Sequence, residues 1–404
     1  MITLGSYVIV KKLNTDIPKL VKVTKNGEVS IENLRFNISG AVGKGYGLFE
    51  TQNGQIRDCC APIAVDSGIA LEELRPGSFN PENRKRVVEG DDDDAPPAKM
   101  MGQSLSSAEI GDLKLSGAAV KEAVTKLVNA NPTFEVRTTY SQAKYVSKKS
   151  KVHTDRVYIL KPTLRLMAQA FYIKNAEHIR YLKVDTYANI IHHTNIVPGC
   201  RVLVYDETQG LILAALLERL EGKGEIFLIN NGCGPGSFQA VYAMGFKPEF
   251  LSVIRPIRWN TFSRAVCDVP KNGGSYKYSE DELMECESNE IKEPSASQQF
   301  MWARERILSS SIIDNLIFVG DSVNAADFIK HTFKAVRKSG NIVVYSNVES
   351  DARGVVSLLN EKSTVDVQIM KISSRRFQAL SGRSHPVLND FVASGIIVTA
   401  TKTA

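Results

Sequence analysis

Hydrophobic positions along the chain change period twice, and the changes mark out its parts. Over residues 1–75 they come in short alternating runs: Tyr7-Val8-Ile9-Val10, then Leu20-Val21-Lys22-Val23, then Val29-Ser30-Ile31, with extended pieces at Phe36-Asn37-Ile38 and Gly47-Leu48-Phe49-Glu50. Turn residues separate them, and Asn26-Gly27 reads as a hairpin turn. The pattern predicts a small β-domain, barrel-like, over residues 1–80. Helical spacing first appears after Ser116, where Ala119, Val120, Ala123, Val124, Leu127 and Val128 share a face and Pro132 closes the segment. A second helix is expected from Leu164 to about Lys174, opened by Lys161-Pro162-Thr163.

From Gly199 short apolar runs alternate with helical stretches. Strands are expected at Arg201–Tyr205, Glu225–Ile229, Phe250–Ile254, Asn315–Val319, Asn341–Ser346, Val365–Lys371 and Gly395–Thr401. Helices are expected at Gly210–Leu220, Phe238–Met244, Ala325–Lys338 and Ser350–Leu359. That alternation predicts an α/β fold with a doubly wound, mainly parallel, Rossmann-like sheet over 199–404. A polar insertion at 259–311 interrupts it and is expected to be largely loop. Residues 81–115, with Asp91-Asp92-Asp93-Asp94 and Pro96-Pro97, read as a flexible acidic linker, and 116–198 as a helical, basic connecting segment.

Composition narrows the class. With 404 residues, 43% hydrophobic and 23% charged, the chain suits a multidomain globular protein. Six cysteines without a C-x-x-C pair argue against zinc and suit a reducing compartment. No secretory pattern opens the sequence and no run of 18 apolar residues occurs, so a soluble intracellular protein is expected. Charge is concentrated. Tyr140–Arg165 holds seven basic residues (Lys144, Lys148, Lys149, Lys151, Arg156, Lys161 and Arg165) against Asp155 alone, a local excess equal to the net +6 of the whole chain. Cations interleaved with Tyr140 and Tyr145 could neutralise phosphates and stack on unpaired bases, although a solvated charged segment has the same composition. Arg375-Arg376, with Arg383 and His385, could extend that surface.

In this fold class a nucleotide or S-adenosylmethionine lies over a glycine-rich loop after the first strand. Class I methyltransferases read D/E-x-G-x-G-x-G there, whereas this chain reads Asp206-Glu207-Thr208-Gln209-Gly210-Leu211-Ile212. Gly210 alone remains of three glycines, and Thr208 and Ile212 place branched side chains where space is needed. The second strand ends Ile229-Asn230-Asn231, with an amide where an acid would take the ribose hydroxyls. Loss of the cofactor site is expected, and an atypical working pocket is the alternative. Gly43–Gly47 reads as a β-turn and Asn231–Gly236 as a sharp connection. Asp321 stands where many methyltransferases hold a substrate-contacting carboxylate, but it is expected instead to cap the helix that follows it. His192-His193 has no acid or serine to work with, and no nucleophile–base pair emerges, so no catalytic residue is assigned.

Several of these segments together resemble the non-catalytic subunit of the eukaryotic tRNA (adenine-58-N1) methyltransferase. They are Tyr140-Ser141-Gln142 through Lys144-Tyr145 and the lysine run, Leu160-Lys161-Pro162-Thr163-Leu164-Arg165, Leu182-Lys183-Val184-Asp185-Thr186, Arg201-Val202-Leu203-Val204 and Arg383-Ser384-His385-Pro386. The resemblance implies a methyltransferase-type fold without a cofactor and a nuclear heterotetramer of two catalytic and two non-catalytic subunits. It implies that the partner holds S-adenosylmethionine and the catalytic aspartate, while this chain grips tRNA and shapes the composite site. Arg383 and His385 would lie near the RNA or the partner's active site. Gly320-Asp321-Ser322-Val323 lacks the catalytic subunit's D-x-P-x-P-W-like motif. An active RNA methyltransferase and a stand-alone RNA-binding protein are the rival readings.

Overall fold

The computed structural model describes residues 1–13, 15–52, 54–59, 120–131, 134, 141–142, 144–146, 148–149, 155–231, 235–267, 291, 293–380, 383–388 and 394–403. The acidic linker at 81–115, Lys151 and much of the 259–311 insertion lie outside the described residues. The chain forms two compact units. Met1–Leu4, Val10–Ile17 and Val23–Leu160 make the first, and Gly5–Ile9, Pro18–Lys22 and Lys161–Ala404 the second.

Short alternating runs do give strands at the N-terminus: β1 (Tyr7–Lys12), β2 (Pro18–Lys22), β3 (Glu28–Ile31), β4 (Leu34–Asn37), β5 (Gly47–Gln52) and β6 (Gln55–Asp58). A seventh, β7 (Arg156–Leu160), comes from the segment read as a connector and pairs antiparallel with β5, Tyr158 opposite Leu48. Its alternation, with Val157 and Ile159 fully buried, is strand-like despite the basic surroundings. The nearly barrel-shaped sheet runs β2-β1-β7-β5-β6-β4-β3. The Asn26-Gly27 turn does not close a hairpin, because β2 and β3 are not neighbours in this order. Gly27 instead accepts from the Ile38 N–H at 3.0 Å, and the hairpin is β3–β4, turning at Glu32 with φ 50°. Helix α1 (Val120–Asn129) carries Val124 and Val128 into a small apolar cluster with Phe134 and Val146.

The second unit opens with α2 (Leu164–Asn175), whose N-terminus is capped by Thr163 accepting from the Leu166 N–H at 3.4 Å, and α3 (Val184–Thr194). Then β8 (Arg201–Asp206), α4 (Leu211–Leu220), β9 (Glu225–Asn230), α5 (Gln239–Met244), α6 (Pro248–Leu251) and β10 (Ile254–Arg258) follow in alternation. The insertion is not mainly loop among its described residues: α7 (Trp259–Cys267) and α8 (Ala296–Met301) are helical, and Trp302–Leu308 continues as a π-helix. Phe262, Trp302, Ala303 and Ile307 explain it, since they pack into the core beside Tyr205 and Phe318. Next come β11 (Ile313–Val319), α9 (Ala325–Thr332), β12 (Val336–Ser346), α10 (Glu349–Glu361) and β13 (Thr364–Lys371). The helix expected over Ala325–Lys338 ends early because Val336 already pairs with Ile313. A separate hairpin, β14 (Phe377–Leu380) with β15 (Arg383–Pro386), precedes β16 (Ile396–Lys402).

The second sheet runs β10-β9-β8-β11-β12-β16-β13, and β16 is antiparallel to both its neighbours. Its central strands carry buried apolar runs, Val202–Tyr205, Ile226–Ile229 and Leu316–Val319, because helices cover both faces. Successive strands depart to one side from β8 through β9 and β10, and to the other through β11 and β12. The order reverses between β8 and β11, so the crevice outside their carboxyl ends is where such a sheet receives a ligand.

Candidate functional site

The two connections bordering that crevice follow β8 and β11. After β8 the backbone enters the left-handed region twice, at Gln209 (φ 56°) and Gly210 (φ 78°). Gly210 is required: a Cβ there would lie 3.1 Å from the Phe238 Cα. Asp206 turns inward and accepts from the Thr208 N–H at 2.7 Å, the Thr208 hydroxyl at 2.5 Å and the Leu213 N–H at 3.1 Å. Burial pushes its carboxyl above the ordinary value, against the pull of those donors. Thr208 and Ile212 are both fully buried. Their branched side chains therefore point into the protein, and steric exclusion by them is not what closes the crevice.

What closes it is Arg180. Its Nη2 meets Glu207 Oε2 at 2.9 Å and its Nε donates to the same oxygen at 3.1 Å. Nη1 meets Asp321 Oδ1 at 2.9 Å, and Nη2 donates to the Ser322 hydroxyl at 3.2 Å. Glu207 follows β8 and Asp321 follows β11, so one guanidinium spans the mouth of the crevice. Glu207 is fixed from its other side by the Tyr205 hydroxyl, donating to Oε1 at 2.5 Å, and by the N–H groups of Asp321 at 3.0 Å and Ser322 at 3.3 Å. Burial pushes Glu207 up, but these donors and the Arg180 charge outweigh it and hold the carboxyl below the usual range. Asp321 is pushed up, by burial first and by Glu207 beside it, against the Arg180 charge. It is not the helix cap expected: Asn324 caps α9, accepting from the Asp327 N–H at 3.0 Å.

The segment bearing Arg180 is itself unusual. Arg180 (φ 55°) and Tyr181 (φ 54°) are successive non-glycine residues in the left-handed region, costing on the order of 1 kcal/mol each. The Arg180 carbonyl accepts from the Tyr345 hydroxyl at 2.8 Å, which anchors that turn. Nothing in the sequence near Arg180 announced this role.

S-adenosylmethionine is the cofactor the fold class implies, and these residues do not fit it. Arg180 occupies the crevice, and the residue at the end of β9 is Asn230, 5% exposed, whose amide oxygen and nitrogen find no hydrogen-bond partner among the described residues. Among the described residues no group of His, Cys, Asp or Glu could hold a metal, and no helix is long and apolar enough to cross a membrane.

The basic residues are distributed. Lys144 and Lys148 are exposed on a helical stretch of the first unit. Tyr145 packs edge-on against Phe134, ring centroids 5.7 Å apart, with the Lys149 ammonium 5.5 Å from its ring. Arg156 is half-buried on β7, whereas Lys161 and Arg165 are exposed in the second unit. Lys151 lies outside the described residues. Arg383 sits on β15 opposite Leu380, and His385 pairs with Gln378, its Nδ1 2.9 Å from the Pro386 carbonyl.

Sequence comparison decides the family. The Gcd10p family matches residues 1–294. The chain belongs to the Gcd10p family. Its relatives include the tRNA (adenine(58)-N(1))-methyltransferase non-catalytic subunit of Dictyostelium discoideum, 25% identical over 98% of this chain and 78% of that protein. The mouse protein of the same name is 30% identical over 61% of this chain, which spans 46% of its length. An O-methyltransferase from Thermotoga maritima superposes over 100% of this chain and 95% of its own, with TM-score 0.50 and 10% identity, a likeness of fold alone. The Rossmann-like sheet and β-rich N-terminus expected for this Gcd10p family member are thus both present.

Proposed function

We propose that this chain is the non-catalytic, tRNA-gripping subunit of a tRNA N1-methyladenosine-58 methyltransferase, acting in the nucleus in a heterotetramer of two catalytic and two non-catalytic subunits. The relatives' names support the assignment, and the observation that carries it is Arg180 seated in the crevice of a methyltransferase-type sheet. With that crevice filled, S-adenosylmethionine belongs to the partner. Exposed Lys144 and Lys148, with Lys149, Lys151, Lys161 and Arg165, supply phosphate contacts.

The partner docks at the β13 edge of the second sheet, which pairs with no further strand among the described residues. β13 is its terminal strand, and Val365 and Ile369 on it are 52% and 57% exposed, with Phe377 of the adjoining hairpin 63% exposed. An edge strand with exposed apolar side chains is a template for another chain unless a partner covers it. Ile369→Lys should abolish co-purification with the catalytic subunit while leaving the melting temperature of this chain unchanged. An intact complex would move the docking face elsewhere.

Purified alone, the chain should bind tRNA, transfer no methyl group to it, and give no heat with S-adenosylmethionine in calorimetry. With the catalytic subunit added, methyl transfer should appear. Micromolar binding of the methyl donor by the isolated chain would favour the rival reading of an independent enzyme.

A further inference from the structure

The crevice is more than a lost pocket, because its groups are arranged around a specific occupant. Glu207 receives the guanidinium on one oxygen while Tyr205 holds the other, and the Asp321 and Ser322 N–H groups fix it in place. Asp321 and the Ser322 hydroxyl meet the remaining nitrogens. Gly320 makes the room: a Cβ there would stand 2.6 Å from the Tyr205 ring and 2.9 Å from Glu207 Oε2. The strained Arg180-Tyr181 turn, anchored by Tyr345, delivers the side chain.

We propose that the switch-point crevice is a guanidinium-binding site whose ligand is supplied in cis by Arg180. A planar guanidinium spreads its donors over three nitrogens at fixed angles and so reaches two carboxylates and a hydroxyl that stand apart, whereas an ammonium gathers its three donors on one atom. All of the site's fixed partners other than Arg180 lie on β8, β11 or the connections after them, so the site survives removal of the Arg180 side chain. A vacated site then takes a small planar guanidinium compound from solution. Arg180 is a positioning residue here: it holds the connections around the crevice and touches no substrate. The proposal stands apart from tRNA binding and from the identity of the partner.

The test uses the full chain carrying Arg180→Ala. Removing one partner of a mostly buried ion pair should lower its melting temperature by roughly 5 °C. Millimolar methylguanidinium should restore at least half of that loss, whereas methylammonium at equal concentration should restore none. The wild type, already occupied, should respond to neither. Adding Glu207→Gln to Arg180→Ala should eliminate the rescue. An unchanged melting temperature, or equal responses to the two cations, overturns the proposal. Should Arg180→Ala fail to fold, Arg180→Lys keeps the charge without the fork and should melt below the wild type. A lysine variant as stable as the wild type overturns it equally.

Discussion

The crevice and the basic stretch both gather charge, and they use it in opposite ways. At the crevice the side chains of Glu207 and Arg180 are 10% and 25% exposed and each serves the other. On the stretch around Tyr145, Lys144 and Lys148 stand in solvent. Satisfied and partly buried charges hold the chain's own connections together and leave little for an outside ligand. Exposed cations contribute almost nothing to folding and remain free to release counterions from a phosphate backbone.

Perturbing each region should therefore move one property and spare the other. Gly320→Ala crowds the crevice, since the new methyl would collide with Tyr205 and Glu207; it should destabilise by about 2–3 kcal/mol in denaturant melts while the remaining folded protein binds tRNA normally. A loss of tRNA affinity in that variant would break the separation. Lys144→Ala with Lys148→Ala should leave the melt unchanged and flatten the slope of log K against log salt by about 1.8 on a structured RNA. An unaltered slope would place the grip elsewhere.

Glu207→Gln sharpens the picture through pH. The folded carboxyl is held below its ordinary value, so its contribution is present above the usual glutamate range and is lost as pH falls through the folded value. The variant, less stable by about 1 kcal/mol at neutral pH, should converge on the wild type on acidification. A gap independent of pH would exclude the ionised carboxylate as the source. The smallest effect belongs to Asn230→Leu. An amide buried without partners gains nothing from its polarity, so the change should be neutral or stabilise by up to about 1 kcal/mol, read as a shift in melting temperature.

The continuous apolar runs of β8, β9 and β11 were legible because strands covered on both faces need no polar positions. Gly210 was legible too, as the last glycine of a loop that still demands a left-handed backbone. Arg180 was not. Its partners lie 27 residues away at Glu207 and beyond 140 at Asp321 and Ser322, and an arginine before a tyrosine carries no local signal of an ion pair. Thr208 was misjudged because a branched side chain in a loop reads as an obstruction, when here it folds back onto Asp206. The helices flanking the insertion hid because their apolar residues, Phe262, Trp302 and Ile307, are diluted by polar neighbours. The strand β7 hid beneath its charge.

The backbone amides of Asp321 and Ser322 end on a carboxylate that belongs to a different connection, and that carboxylate is clasped by a third. None of the three can fray without releasing the others. Their amide protons should therefore exchange with solvent through one shared opening, at a common protection level well above that of ordinary surface turns. Segments far apart along the chain would in this way breathe as a single cooperative unit.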